Sequence, residues 1–182
     1  NEQNRKKRDY MIIGKERHDV GRKNDQGYPV RAIISGQYFY SINFKSERWP
    51  AGNPETGYLN TDGSPTKTEI LSLKKEGKML DYWHFAFGKR PEETLYDLNK
   101  DPNCIKNIAE YNKFSTLKDS LKTILIEDLT KNKDPRILGN GNIFDNYPYA
   151  EKRTRDFYNR YMSGELLDSD WVNPTDFDST VK

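Results

Sequence analysis

The chain has 182 residues, with 30 Lys and Arg against 28 Asp and Glu, so its formal net charge is only +2. This length predicts one domain, because a single core typically organises about 100 to 200 residues. The balanced charge argues against a dedicated polyanion binder, so no nucleic-acid partner is expected, and an aromatic content of 13% argues against a disordered chain. No apolar run approaches the roughly 18 residues of a membrane helix, so no membrane span is expected.

The amino-terminal elements can be read directly from charge and hydropathy. Residues 1–9 include four consecutive basic residues, which predict a solvated linker, with a nucleic-acid-binding arm as the alternative. The apolar run 10–13 predicts a short buried strand that ends at Gly14. The polar segment 15–28 contains Gly21, Asn24-Asp25 and Gly27, and it predicts a loop.

Two segments on either side of Gly36 are rich in β-branched and aromatic residues, and they predict a β-hairpin that pairs 29–35 with 37–44. In the second strand, alternate large side chains would share one face: Tyr38, Tyr40, Ile42 and Phe44. This alternation predicts an antiparallel sheet with one packed face.

A long segment without regular periodicity follows, and it predicts a loop over 45–63. Its stretch 49–54 reads Trp-Pro-Ala-Gly-Asn-Pro and admits two interpretations. The first is a rigid loop held by its tryptophan, and the second is an aromatic platform for a sugar ring or a base. The sequence leaves both open.

The remaining predicted elements are helices and one further strand. Ser64 before a proline predicts the N-cap of a helix over 65–75, and a second helix is predicted over 79–87. A further sheet strand is predicted over 94–98. Apolar residues at helical spacing predict an amphipathic helix over 117–129.

Two details complete the predicted fold. Thr116 and Asp119 form a candidate capping pair for the amphipathic helix. Residues 150–182 predict a polar helix to about residue 162, followed by a draped or disordered tail. Together the elements predict an α+β fold, with a small antiparallel sheet of about four strands and a packed amphipathic helix.

Metal and nucleophile motifs have little support in the sequence. The single cysteine, Cys104, excludes an intramolecular disulfide and any multi-cysteine metal site, and its surroundings suggest a structural thiol rather than a nucleophile. The two histidines, His18 and His84, lie far apart and outside zinc motifs such as HExxH, and His84 is interpreted as a structural residue. No metal, cofactor or catalytic residue is therefore expected in this chain.

The loop after the first strand is the best candidate for recognition. It concentrates cations, carboxylates and an imidazole where a sheet could present them at one edge. Arginine suits carboxylate or sulfate oxygens, and acids accept hydrogen bonds from sugar hydroxyls. The alternative is a solvated loop in which Arg17 and Asp19 only satisfy each other. The candidate substrate-binding residues are Glu16, Arg17, His18, Asp19 and Arg22.

Four segments together resemble the carboxy-terminal subdomain of formylglycine-dependent sulfatases, most of all the bacterial heparan N-sulfatase (N-sulfoglucosamine sulfohydrolase) branch. They read GKERHD at 14–19, GYPVRAI at 27–33, RWPAG at 48–52 and ETLYDLNKDP at 93–102. The last is common to sulfatases in general, and the Asn-Ile-Ala turn at 107–109 follows it as in that family. The resemblance extends from about residue 8 to residue 149.

The resemblance implies an alkaline-phosphatase-like sulfatase whose chemistry lies in sequence outside this chain. In that family an N-terminal domain carries calcium and the formylglycine made from the cysteine of a C-x-P/A-S-x-R motif, and Cys104 is not in such a motif. The implied organisation is a linker at 1–9, a C-terminal subdomain at 10–149 and a polar helix and tail at 150–182. The missing N-terminal domain would be a partner, and the fragment alone is expected to be inactive.

The implied function is hydrolysis of sulfate from a glucosamine-containing glycosaminoglycan such as heparan sulfate, in the periplasm or outside the cell. In the resembled family the element at 14–19 lies near the pocket opening, which implies that loop 16–22 belongs to the substrate rim. An exposed packing surface on the fragment would also allow it to dimerise. A non-enzymatic module that binds carbohydrate or nucleic acid is the alternative function.

Overall fold

The computed structural model of the protein describes residues 9–178, and it confirms the α+β class. The strands are β1 (Tyr10–Lys15), β2 (Val30–Ser35), β3 (Tyr38–Asn43) and β4 (Glu93–Asp97). The helices are α1 (Pro65–Lys75), α2 (Leu80–Phe87), α3 (Ser115–Lys131), α4 (Ile143–Asn146) and α5 (Phe157–Met162).

The chain forms two compact units that interleave along the sequence. The sheet unit contains described residues 9–15, 30–44 and 91–140, and the loop unit contains 16–29, 45–90 and 141–178. Composition does not reveal this division, because each unit gathers segments that are distant in sequence. The domain boundaries predicted at residues 9 and 149 stay predictions.

The sheet unit contains the predicted four-stranded antiparallel sheet, and its strand order is β1-β2-β3-β4. Ile33, Tyr40 and Leu95 lie opposite one another across β2, β3 and β4 and are fully buried. The buried leucines of α3 pack on this face, which confirms the predicted amphipathic helix: Leu121, Leu125 and Leu129. The predicted face of β3 is also confirmed, since its alternate side chains join the same core.

The predicted capping pair of this helix is wrong. A 3-10 turn, Asn112–Phe114, leads directly into α3, and Phe114 occupies the N-cap position without a side-chain cap. The hydroxyl of Ser115 donates a hydrogen bond to the carbonyl of Asn112 at 2.9 Å. Because the helix already begins at Ser115, Thr116 lies within the first turn and cannot act as the N-cap.

The prediction that the first strand is buried is also wrong. β1 is at one edge of the sheet, and Met11 and Ile13 are 62% and 43% exposed. Ile12 packs on the core from the other face. A continuous apolar run suggested burial on both faces, but alternation along a strand buries only one of them here.

The opposite edge of the sheet is covered by the turn that the sulfatase resemblance singles out. The side-chain oxygen of Asn107 accepts hydrogen bonds from the N–H of Leu95 at 2.9 Å and of Ala109 at 3.0 Å. Its amide nitrogen donates to the carbonyl of Glu93 at 3.2 Å. Asn107 therefore occupies backbone groups of β4 that would otherwise form an open sheet edge.

Helices α1 and α2 are confirmed in the loop unit. The hydroxyl of Ser64 accepts a hydrogen bond from the N–H of Lys67 at 3.1 Å, which is the predicted N-cap. The predicted polar helix after residue 150 is shorter, because α5 begins only at Phe157. Of the two predicted alternatives for the tail, its described part is ordered, since Val172 is buried in a core with Val20, Leu59 and Phe157.

The acid stability of the sheet unit should depend on Glu93. Its carboxylate lies 2.8 Å from Lys122, 3.1 Å from Lys118 and 2.6 Å from the Tyr40 hydroxyl. Burial alone would raise the pKa of Glu93, but these hydrogen bonds outweigh burial and lower the pKa to about 2. Because the pKa of Glu93 is lower in the folded protein than in the unfolded chain, its carboxylate stabilises the fold at pH values above the ordinary pKa of glutamate. This contribution is lost as the pH falls toward 2.

The free energy of unfolding is measured by urea titration, monitored by far-ultraviolet circular dichroism, at a series of pH values from neutral toward pH 2. We expect this free energy to fall less for Glu93→Gln than for the wild type. Glu127→Gln, an exposed position on α3, is the matched control and should retain the wild-type decline. Identical acid profiles for Glu93→Gln and the wild type would show that the Glu93 network does not stabilise the fold.

Candidate functional site

Loop 16–22 is anchored in the core of the loop unit by its own small and apolar residues. Val20 is fully buried, and its N–H donates a hydrogen bond to the Asp19 carboxylate at 2.7 Å. Gly21 has a φ of +100°, and a Cβ there would lie 2.8 Å from the Cβ of Leu59. Both space and backbone conformation therefore require glycine, and the fixed Val20-Gly21 pair holds the preceding polar residues in place.

Arg17 and Asp19 both contact Tyr149, rather than only each other as in the solvated alternative. The Arg17 guanidinium lies 5.5 Å from the centroid of the Tyr149 ring and donates to the carbonyls of Asp25 and Tyr147, each at 3.0 Å. The Tyr149 hydroxyl donates to Asp19 at 3.1 Å. Burial and the Asp19 carboxylate raise the pKa of Tyr149 to about 12, so the phenol stays protonated and continues to donate at neutral pH.

Arg22 lies in the interior, at 2% exposure. Its Nε donates to the carbonyl of Trp49 and its Nη2 to that of Pro50, each at 2.7 Å, and Nη1 donates to Gln26 at 3.3 Å. Burial, together with repulsion from Arg48, lowers the pKa of Arg22 to about 10, so the side chain is still cationic at neutral pH. These contacts give Arg22 a positioning role for the 48–52 loop, and a direct contact with substrate stays a prediction.

The Trp-Pro-Ala-Gly-Asn-Pro stretch is held by its tryptophan, which supports the first of its two interpretations. Trp49 is half-buried and meets Tyr58 and Trp83 edge to face, with ring centroids 6.3 and 6.2 Å away. The ammonium of Lys89 lies 5.1 Å from the Trp49 ring. Trp49 therefore connects the 48–52 loop to an aromatic cluster beside α2.

A largely buried ion pair lies where three of the segments that resemble sulfatases meet. Arg48 forms a two-point contact with Asp145 of α4, at 3.1 Å from Nη1 and 2.9 Å from Nη2, and Nη1 also donates to the Gly27 carbonyl at 2.8 Å. Asp145 accepts the Gly27 N–H at 3.1 Å. A Cβ at Gly27 would lie 2.6 Å from the carbonyl oxygen of Glu16, so only glycine permits this approach. Residues from 14–19, 27–33 and 48–52 thus meet in the loop unit.

The structure separates the five predicted site residues into two groups. His18 is exposed, and Glu16, Arg17 and Asp19 are half-buried, whereas Arg22 is buried behind them. We call the four outer residues the rim: Glu16, Arg17, His18 and Asp19. A rim of two carboxylates, one guanidinium and one imidazole can recognise anionic groups and hydroxyls by hydrogen bonding.

Sequence reasoning missed the residues that hold the rim. Tyr149, which contacts Asp19, and Asp145, which contacts Gly27, each lie more than a hundred residues after their partners, and no local pattern links them. Their position within the region of resemblance, up to residue 149, was the one available signal.

The described residues do not offer a site for the calcium or the formylglycine of the resembled family. Residues 9–178 contain no group of three or more His, Cys, Asp and Glu side chains arranged to hold a metal ion. Cys104 is partly buried with a φ of +54°, and burial raises the pKa of its thiol. Within the same residues, no helix is both long and apolar enough to cross a membrane.

Comparison with known proteins supports a sulfatase-like relationship over part of the chain. The chain is similar to an ulvan-active sulfatase from Formosa agariphila, with 30% identity over 109 residues, which is 57% of this chain and 16% of that enzyme. The chain thus spans much less than the length of this relative. No protein-family model matches it. The similarity supports a link to that class of hydrolases but does not extend to a heparan or glucosamine substrate.

Proposed function

We propose that this chain is the carboxy-terminal part of a sulfatase and that it shapes the substrate pocket for a sulfated polysaccharide. The observation that carries the proposal is the meeting of three sulfatase-like segments in the loop unit: Arg48 and Asp145 both bind the backbone of Gly27, which lies against the carbonyl of Glu16. The similarity to a known sulfatase supports the same assignment.

The rim residues would recognise the sugar rather than break the sulfate bond. Arg17 or the exposed His18 would contact a sulfate or uronate group, while Glu16 or Asp19 would accept hydrogen bonds from sugar hydroxyls. Tyr149 orients both Arg17 and Asp19, and Arg22 fixes the neighbouring 48–52 loop from the interior. The formylglycine and calcium would belong to an N-terminal domain that precedes this chain.

Two polysaccharide classes are candidates for the substrate. A glucosamine-containing glycosaminoglycan such as heparan sulfate follows from the sequence resemblance to heparan N-sulfatases. Ulvan is the second candidate, because the relative with 30% identity is an ulvan-active sulfatase. Either substrate would be met in the periplasm or outside the cell.

The apolar surface of α2 suggests where the N-terminal domain would dock. Three large apolar residues at a spacing of three, in and just before α2, are between 45% and 56% exposed: Met79, Tyr82 and Phe85. A group of this kind is unusual on a monomer and marks an interaction surface. We assign it to the N-terminal sulfatase domain, and in the isolated chain the same surface would favour a dimer.

The test compares sulfate release by two proteins, this chain alone and the longer product of its gene. Each is incubated with heparan sulfate and with ulvan, and inorganic sulfate is measured by ion chromatography. We expect release by the longer protein only. Release by the purified chain alone, or none from either polymer with the longer protein, would overturn the proposal.

A further inference from the structure

We infer that a pocket between α1 and α2 binds one sugar ring that carries an acidic group. The Trp83 pocket, as we call it, has a volume of about 300 Å³ and is lined by Lys74, Leu80, Asp81, Trp83 and His84. This volume is at the lower end for small-molecule sites, which suits a single ring better than a longer ligand. The inference deepens the proposed function by adding a second contact point for an acidic polysaccharide, besides the rim.

The Trp83 side chain, which forms the aromatic wall of the pocket, is fixed by contacts with Tyr58 and Trp49. The Trp83 Nε1–H donates to the Tyr58 hydroxyl at 3.1 Å, and the ring meets Trp49 at 6.2 Å. Trp83 remains only half-buried, so part of the indole faces the pocket. A fixed indole presents a large apolar surface at little cost in conformational entropy, and the C–H face of a pyranose ring suits it.

The cation beside this ring, Lys74, supplies the contact for an acidic group. The ammonium of Lys74 lies 5.4 Å from the Trp83 ring centroid and 3.6 Å from Asp178. An ammonium has three N–H donors, so this one contact leaves donors for a sulfate or a carboxylate. His84 adds a further polar contact, and Asp81 can accept hydrogen bonds from ring hydroxyls.

A second pocket in the loop unit provides a contrast in charge. It has a volume of about 450 Å³, and its wall includes Tyr161, Phe177, Asp168 and Asp170. Its lining contains two carboxylates and no lysine or arginine, and Arg153, which lies outside the lining, is paired with Asp170 at 3.0 Å. This pocket shares the aromatic character of the Trp83 pocket but lacks its cation, so it supplies the matched control.

The experiment measures binding of a size-defined heparin tetrasaccharide to the isolated chain. Affinity is measured by calorimetric titration, and the NMR signal of the Trp83 indole N–H reports whether the ligand occupies this pocket. Trp83→Phe identifies that signal among the three tryptophans. We expect Lys74→Met to weaken binding about tenfold, as for loss of one charge-assisted hydrogen bond. The melting temperature of each variant shows whether it remains folded.

Asp168→Asn in the second pocket should bind like the wild type, and the desulfated tetrasaccharide should bind more weakly. Any one of three results would overturn the inference. These are equal affinity of Lys74→Met and the wild type, a Trp83 signal that does not shift on titration, and equal affinity for the sulfated and desulfated tetrasaccharides. The readout is binding by this chain alone. A failure here is therefore distinguishable from a failure of the proposed sulfatase function, which is judged by sulfate release from the longer protein.

Discussion

Replacing Arg48 by Ala should lower the free energy of unfolding by about 3 to 5 kcal/mol, because it removes the guanidinium that pairs with the largely buried Asp145 carboxylate. The Arg48 and Asp145 side chains are only 12% and 14% exposed, and both also bind the backbone of Gly27. All three tryptophans, Trp49, Trp83 and Trp171, belong to the loop unit, so tryptophan fluorescence during urea unfolding reports on this unit directly.

The matched control is Arg153→Ala. Arg153 contacts Asp170 at 3.0 Å, but these side chains are 55% and 60% exposed, so the expected change is about 0 to 1 kcal/mol. In the double variant Arg48→Ala, Asp145→Ala, part of the lost stability should return, since no buried charge remains unpaired. If Arg48→Ala lowers the free energy of unfolding by no more than Arg153→Ala does, the Arg48–Asp145 pair does not hold the loop unit together.

In the longer product of the gene, His18→Ala should lower kcat/KM for sulfate release by about 10- to 150-fold. This corresponds to the loss of one charge-assisted contact with substrate worth roughly 1.5 to 3 kcal/mol. His18 is exposed, so the melting temperature should be nearly unchanged. Arg17→Ala should lower kcat/KM in the same range and also lower the melting temperature, because Arg17 donates to the carbonyls of Asp25 and Tyr147.

Lys23→Ala, an exposed position just after the loop, is the control and should leave kcat/KM and melting temperature unchanged. If His18→Ala retains wild-type kcat/KM, or if kcat/KM of the Arg17 variant falls only as far as its stability explains, the rim does not contact substrate. Loop 16–22 would then be purely structural.

Local sequence signals predicted most of the regular elements. Ser64 and the following proline marked the start of α1, and the alternation through Tyr40 and Ile42 placed β3 with its packed face toward α3. These features depend on neighbours along the chain, where periodicity and capping act. Errors arose where the outcome depends on distant residues, as for Met11 and Ile13, whose exposure follows from the edge position of β1.

The candidate site shows the same limit. Its loop was identified from the density of polar side chains after a strand, but the partners that hold the loop were not. Tyr149 contacts Asp19 in the loop, and Asp145 and Arg48 bind Gly27 beside it, only after the chain has returned to the loop unit. Arg22 was grouped with the rim because of its charge, and only the structure shows its donors directed at the carbonyls of Trp49 and Pro50.

The central claim is that this chain is the carboxy-terminal part of a sulfatase, and the coding sequence upstream of Asn1 tests it most directly. The account predicts one continuous reading frame that contains a C-x-P/A-S-x-R motif several hundred codons before Asn1. A frame that extends that far without the motif, or a start codon immediately before Asn1, would contradict the claim.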